Sequence, residues 1–187
     1  MFIKHKDLKN RHLIHGRPRI VLFGAGKIGR SFIGQLFSRG GYEVVFVDVF
    51  QPVIDELNKR HQYNVVIKSD RDEVMIIKNV RGVLATDEKA VISEIANADI
   101  LAVSIGQQGL PSAIPLIAKG LLQRRKISGD LPLDIIIAEN LRNAADFFRA
   151  ELKKFLPVDY PVDKLVGLVE TSIGKMVPIM LKKDIEA

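Results

Sequence analysis

From residue 19 onward, short apolar runs alternate with helix-length segments in which apolar positions recur every three or four residues. RIVLF (19–23) is apolar almost throughout and does not alternate, as expected of a strand covered on both faces. KIGRSFIGQLFSRG (27–40) follows at helical spacing, with Ile28, Phe32, Leu36 and Phe37 on one side and Gly40-Gly41 as its stop. YEVVFVDV (42–49) predicts a second strand, and QPVIDELNKRH (51–61) a helix with Pro52 at the tolerated early position. Three β-like stretches then follow without a helical period between them: YNVVIKS (63–69), EVMIIKNV (73–80) and RGVLAT (81–86). They predict an antiparallel insertion or meander. The alternation resumes with a helix over 88–96, the strand DILAVSI (99–105), the loop GQQGLP (106–111) and a helix over 112–125. LDIIIAE (133–139), a helix over 142–155 and KLVGLVE (164–170) complete the series.

Strands separated by helices require crossover connections and therefore a mainly parallel sheet. The expected class is α/β, doubly wound, with an antiparallel β insertion after the second helix. The chain has 187 residues with 47% hydrophobic content, enough for one buried core. With no cysteine, it excludes a disulfide scaffold and any thiolate metal site. No apolar stretch approaches a bilayer span, and the first residues lack the apolar region of a secretory signal, so a soluble, cytoplasmic protein without membrane contact is expected. The formal charge of +6 is concentrated at the start, where residues 1–19 hold six Lys/Arg against one Asp. That distribution predicts a basic arm over 1–17 and a folded domain over 18–187. It argues against nucleic-acid binding, which needs a basic face on the folded body. The cluster QRRK (123–126) is expected to end a helix, where cations complement the dipole.

Gly24, Gly26 and Gly29 come directly after the first buried strand and open the first helix. A bare Gly-x-Gly-x-x-Gly is weak, and a plain structural turn competes with it. In this context the three glycines permit, in order, a tight turn, backbone approach to a diphosphate, and close helix–strand packing. The segment Gly24, Ala25, Gly26, Lys27, Ile28, Gly29 is therefore the expected cofactor cradle of a Rossmann-like fold, with the diphosphate on free N–H groups at a helix start. Asp48 ends the second strand, 19 residues after Gly29. A carboxylate there can accept from ribose hydroxyls and would repel a 2′-phosphate, and no Lys or Arg follows in VFQPV. NAD is therefore favoured over NADP. Ser104 and Gly106, where the strand 99–105 passes into its loop, are small enough to let the nicotinamide half lie against backbone, and an ordinary βα loop is the equal alternative.

FGAGKIGRSFIG, FVDV, LNKRHQYNV, PLIAKGL, LDIIIAENL and GLVETSIGKMVP occur in one order. Together they resemble the N-terminal domain of the mannitol dehydrogenase family over about 19–178. The resemblance implies metal-free, NAD-dependent oxidation of a sugar alcohol, or its phosphate, to a ketose. It also implies that an Asn after an acidic residue at a strand end holds the developing alkoxide. Glu139-Asn140 matches that pair, making Asn140 the candidate for catalytic contact, since an amide N–H stabilises an oxyanion without competing as a base. Asn140 is equally placed to cap the helix that follows.

Two departures stand out. Ile173-Gly174-Lys175-Met176 occupies the place of the family's Val-Asp-Arg and apolar residue, exchanging a bidentate fork for a point charge. The family's proton-accepting Lys lies in a helical C-terminal domain with Asn and His, and none of His5, His12, His15 and His61 is placed to match it. Lys175, Lys182 and Lys183 receive no role, and His61 reads as structural or solvated. The chain is thus expected to be the cofactor half of an enzyme, with a docking face for a further domain. A stand-alone nucleotide-binding regulatory or redox-sensing module is the other reading.

Overall fold

The computed structural model describes residues 16–68 and 71–174. The main sheet contains β1 (Arg19–Phe23), β2 (Glu43–Asp48), β5 (Val80–Leu84), β6 (Ile100–Val103), β7 (Leu133–Ile137) and β8 (Val166–Glu170). Its order is β5-β2-β1-β6-β7-β8, and every neighbouring pair is parallel. A separate antiparallel hairpin joins β3 (Gln62–Ile67) to β4 (Glu73–Lys78). The helices are α1 (27–39), α2 (Gln51–Arg60), α3 (Glu88–Asn97), α4 (Leu110–Ser128), α5 (Ala144–Phe155) and the short α6 (Val162–Leu165). The predicted basic arm falls mostly on residues outside the described ones.

The predicted insertion divides in two. Its first two stretches form the β3–β4 hairpin, while RGVLAT supplies β5, a parallel edge strand beside β2. Asn79, at φ 57°, turns the chain between the two sheets. A short β-branched run reads alike in a hairpin and in a parallel sheet, so periodicity could not assign β5. Local packing fixes it: a Cβ on Gly82 would stand 2.7 Å from Ile54 Cδ1, so β5 lies tight against α2. Asn58 of α2 donates to the Gly82 carbonyl at 3.0 Å and accepts from its N–H at 2.8 Å.

The uninterrupted apolar strands are explained by cover on both faces. Val21, Phe23, Val45, Leu101, Val103 and Ile135 pack against α3, α4 and α5 through Val91, Ile95, Ile114, Ile117, Leu121 and Phe148. Ile20, Leu22, Val44 and Phe46 face the other way, against Ile33 of α1, Leu57 of α2, and Val65 and Ile77 of the hairpin. On that second face cover thins toward β8, where Ile136 is half-buried and its register partner Val169 is 43% exposed.

Helix α1 is not α-helical throughout: Gly29–Gly34 is wound as a π-helix before Gln35–Arg39 returns to α geometry. Such widened turns are rare and cluster at functional sites. The Tyr63 hydroxyl donates to the Arg30 carbonyl inside this stretch at 2.6 Å, so the hairpin braces it. Burial pushes the Tyr63 phenol well above its ordinary range, which keeps it a donor.

The QRRK cluster holds one residue of unexpected role. Arg125 and Lys126 do lie in the last turn of α4, but Arg124 is 3% exposed. Its guanidinium donates to the carbonyls of Ala96, Ala98, Leu131 and Pro132 at 2.7–3.1 Å. It thereby satisfies the end of α3 and the approach to β7. At the amino edge of the sheet, Arg19 and Arg81 each pair with both Glu43 and Glu94. Burial alone would raise the Glu43 pKa, but hydrogen bonds and charge from Arg81 and Arg19 outweigh it and hold the carboxyl below its ordinary 4.5.

Two expectations follow. Arg124→Met should destabilise the fold by roughly 2–4 kcal/mol, because buried carbonyls lose a charged donor, and Arg124→Lys should recover only part, since an ammonium cannot span four acceptors. Urea denaturation checks both. For Glu43, whose pKa is lowered on folding, the stabilisation is present above 4.5 and lost as pH falls through the folded value. The stability gap between wild type and Glu43→Gln should therefore be widest at neutral pH and narrow below 4.5. A constant gap in urea midpoints would contradict it.

Candidate functional site

With the hairpin set aside, the sheet order reverses at β1 and β6. Helix α1 leaves β1 toward one face and α4 follows β6 on the other, opening a crevice at the carboxyl ends of the strands. Three segments meet there: the glycine turn after β1, the loop after β6 and the loop after β7.

The glycines divide by physical cause. Gly24 has φ +101°, and a Cβ on it would stand 2.1 Å from the Ser104 carbonyl oxygen. One on Gly29 would stand 2.0 Å from the Gly24 carbonyl oxygen, and one on Gly34 would stand 2.6 Å from Phe46 Cζ. These three are explained by the fold. Gly26 is not: it is exposed, has no positive φ, and a Cβ there would meet nothing within 4 Å. It leaves backbone open at the start of α1, where the first N–H groups have no carbonyl one turn back.

Asp48 reaches this turn from the end of β2. Its Oδ2 accepts from the Ala25 N–H at 2.7 Å and its Oδ1 from the Phe50 N–H at 2.9 Å. A carboxylate oxygen has two acceptor sites, so both retain capacity for another donor. Asp48 therefore also fastens β2 to the turn, a role its sequence position did not reveal.

A groove of about 740 Å³ runs along the crevice, lined by Lys27, Ile28, Ser104, Gly106 and Asn140 among others. Five of the residues singled out in the sequence thus share one continuous space. Gly24, Ala25 and Gly29 are buried within the turn, and Asp48 lies outside the groove lining. Asn140 is exposed in the loop after β7. It does not cap α5, whose N-cap is Asn143 at φ 53°. Gln107 donates to the Asn140 carbonyl at 3.2 Å, tying two of the loops together.

Sequence reasoning assigned Glu139 no role of its own. It is 8% exposed, and its Oε1 accepts from the N–H groups of Ile105 at 2.7 Å and Gly106 at 3.0 Å. Burial raises its pKa above the ordinary value, with the two N–H groups acting in the opposite sense. The one available signal was a carboxylate directly after the apolar run 135–138. Arg142, Thr171 and Ser172 also line the groove and were not foreseen. His61 ends α2 in a left-handed conformation beside the Val80 carbonyl, at the opposite edge of the sheet. Lys175, Lys182 and Lys183 lie outside the described residues. Among the described residues, no helix is long and apolar enough to cross a membrane, and no group of three His, Asp or Glu could hold a metal ion.

Residues 18–186 match the family model of the mannitol dehydrogenase Rossmann domain. The mannitol-1-phosphate 5-dehydrogenase of Lactococcus lactis subsp. lactis is 38% identical over 170 residues, which cover 89% of this chain and 44% of the relative. That of Shouchella clausii is 37% identical over 170 residues, covering 89% and 45%. The chain therefore spans less than half the length of these relatives. Among solved structures, octopine dehydrogenase in complex with NADH and agmatine aligns at TM-score 0.55 and 15% identity, over 81% of this chain and 34% of that one. A UDP-glucose dehydrogenase from Pyrobaculum islandicum aligns at TM-score 0.52 and 11% identity, over 83% and 36%. At these identities the structural likeness speaks for the fold, with its doubly wound parallel sheet.

The division among the glycines predicts a split in stability. Gly29→Ala should cost about 1–3 kcal/mol or more, because its Cβ meets backbone that cannot yield. Gly26→Ala should change stability by less than about 0.5 kcal/mol. Thermal melts of the two variants side by side would show whether Gly26 is free of any internal packing duty.

Proposed function

The chain belongs to the mannitol dehydrogenase family, and on that premise we propose that it is the NAD-binding part of a polyol-phosphate dehydrogenase. The observation that carries this reading is Gly26: a glycine that packing does not require, at an open helix start, beside a groove that gathers Ser104, Gly106 and Asn140. In this reading the N–H groups of 26–28 bind the diphosphate and the remaining acceptor sites of Asp48 bind the adenosine ribose. The Asp48 charge disfavours a 2′-phosphate. The backbone at Ser104 and Gly106 bounds the nicotinamide half. NAD, when bound, supplies the acceptor for hydride from a carbinol carbon.

Asn140 donates its side-chain N–H to the substrate oxygen as negative charge develops there. The substrate class is a sugar alcohol phosphate, by likeness to the mannitol-1-phosphate 5-dehydrogenases. The family resemblance puts the proton-accepting Lys in a helical domain outside this chain, so these 187 residues bind cofactor but turn substrate over poorly. The thin cover over Ile136 and Val169 offers a surface for such a domain. A regulatory module without chemistry is not favoured, because the relatives named above are dehydrogenases.

Thermal-shift titrations with NADH and NADPH test the reading. A ligand at a hundred times its Kd adds about 2.7 kcal/mol of stability. Wild type should be stabilised by NADH and far less by NADPH, and Gly26→Ala should lose most of the NADH shift while melting normally without ligand. Asp48→Asn retains an acceptor for the turn but removes the charge, and should narrow the NADH preference by about tenfold, or ~1.4 kcal/mol. An absent NADH shift in the wild type would overturn the proposal.

A further inference from the structure

We propose that Glu139 is a positioning residue: its buried carboxylate holds the loop 104–106 where the nicotinamide half of the cofactor lies. The inference rests on the cofactor reading above and deepens it. The parallel ladder ends just before this loop, with the Ser104 N–H donating to the Phe23 carbonyl at 2.8 Å and the Ala138 N–H to the Val103 carbonyl at 2.9 Å. The next two N–H groups, of Ile105 and Gly106, have moved beyond the reach of strand pairing. Both converge on a single oxygen, Glu139 Oε1, at 2.7 and 3.0 Å.

Two successive N–H groups pointing into one concavity form an anion-binding nest. Glu139 fills this one with an acceptor oxygen of the chain's own, which fixes the two N–H groups in one geometry and leaves the free N–H groups at the start of α1 as a separate site. The opposite flank of the loop is fixed as well, because the Ser104 carbonyl presses on Gly24 so closely that no Cβ fits between them. The loop is therefore gripped between the glycine turn and Glu139. Gly106, at φ +77° with open space around it, completes the bend and faces the groove. At 8% exposure the carboxylate is stabilised chiefly by these two bonds, so the grip and the burial depend on each other.

Binding of NADH and of ADP-ribose, which lacks nicotinamide, to the full chain separates this role from a general one. Isothermal titration should show wild type binding NADH more tightly than ADP-ribose. Glu139→Ala should weaken NADH at least about tenfold and leave ADP-ribose within about twofold. Glu139→Gln, which keeps an acceptor oxygen in place, should restore NADH to within a few-fold. Should the Ala variant not fold, Glu139→Asp, which withdraws the oxygen by one methylene, carries the same expectation as Ala. Unchanged NADH affinity, or equal losses for both ligands, would overturn the role of Glu139. Equal affinity of wild type for the two ligands would do the same. A wild type that binds neither ligand would overturn the cofactor reading itself.

Discussion

The close approach of two backbones, at Gly24 and Ser104, is the constraint on which the rest of the molecule depends. It brings the ends of β1 and β6 so near that a single methyl group would separate them. Because these neighbouring strands send their chains to opposite faces, the crevice between them exists only if both loops turn away immediately. Gly24 turns by adopting a conformation that side chains disfavour, and Gly106 turns in the same way on the other side. Gly29 then allows α1 to start directly against that turn. Glycine is therefore a geometric requirement of the fold at two of the motif's three positions, whatever the crevice binds.

The sheet separates two duties between its ends. At the amino edge, Arg19, Arg81, Glu43 and Glu94 satisfy one another in a closed ring of charge. At the carboxyl edge the charges engage backbone: Asp48 binds Ala25 and Phe50, and Glu139 binds Ile105 and Gly106. Carboxylates that bind N–H groups fix loop shape, whereas paired charges mainly join elements. The molecule is thus fastened at one end and shaped at the other.

Much of this was legible in the sequence, for identifiable reasons. Buried parallel strands read as unbroken apolar runs, and the glycine turn and Asp48 carry fixed spacings, so the sheet and the turn beside its crevice could be foreseen. Four features could not. Strand β5 was placed with the hairpin because membership of a sheet depends on contacts with α2, not on its own pattern. Arg124 looked like a surface cation because its four carbonyl partners are distributed among α3 and the segment before β7. Glu139 was overshadowed by its neighbour Asn140, since its partners lie 33 and 34 residues earlier in the chain. The π-helical stretch of α1 was the fourth: it displaces the apolar stripe expected at α spacing, so that Ile33 is buried while Leu36, placed on that stripe, is exposed.

The amide of Asn58 has an implication for how the molecule meets other chains. An edge strand with vacant donors and acceptors is an invitation to further strands, and β5 forms one border of the sheet. By occupying both backbone groups of Gly82, Asn58 closes that border from within, at the middle of the strand. A further strand could not pair at Gly82 without displacing this amide, so the side chain of α2 guards the middle of the exposed edge.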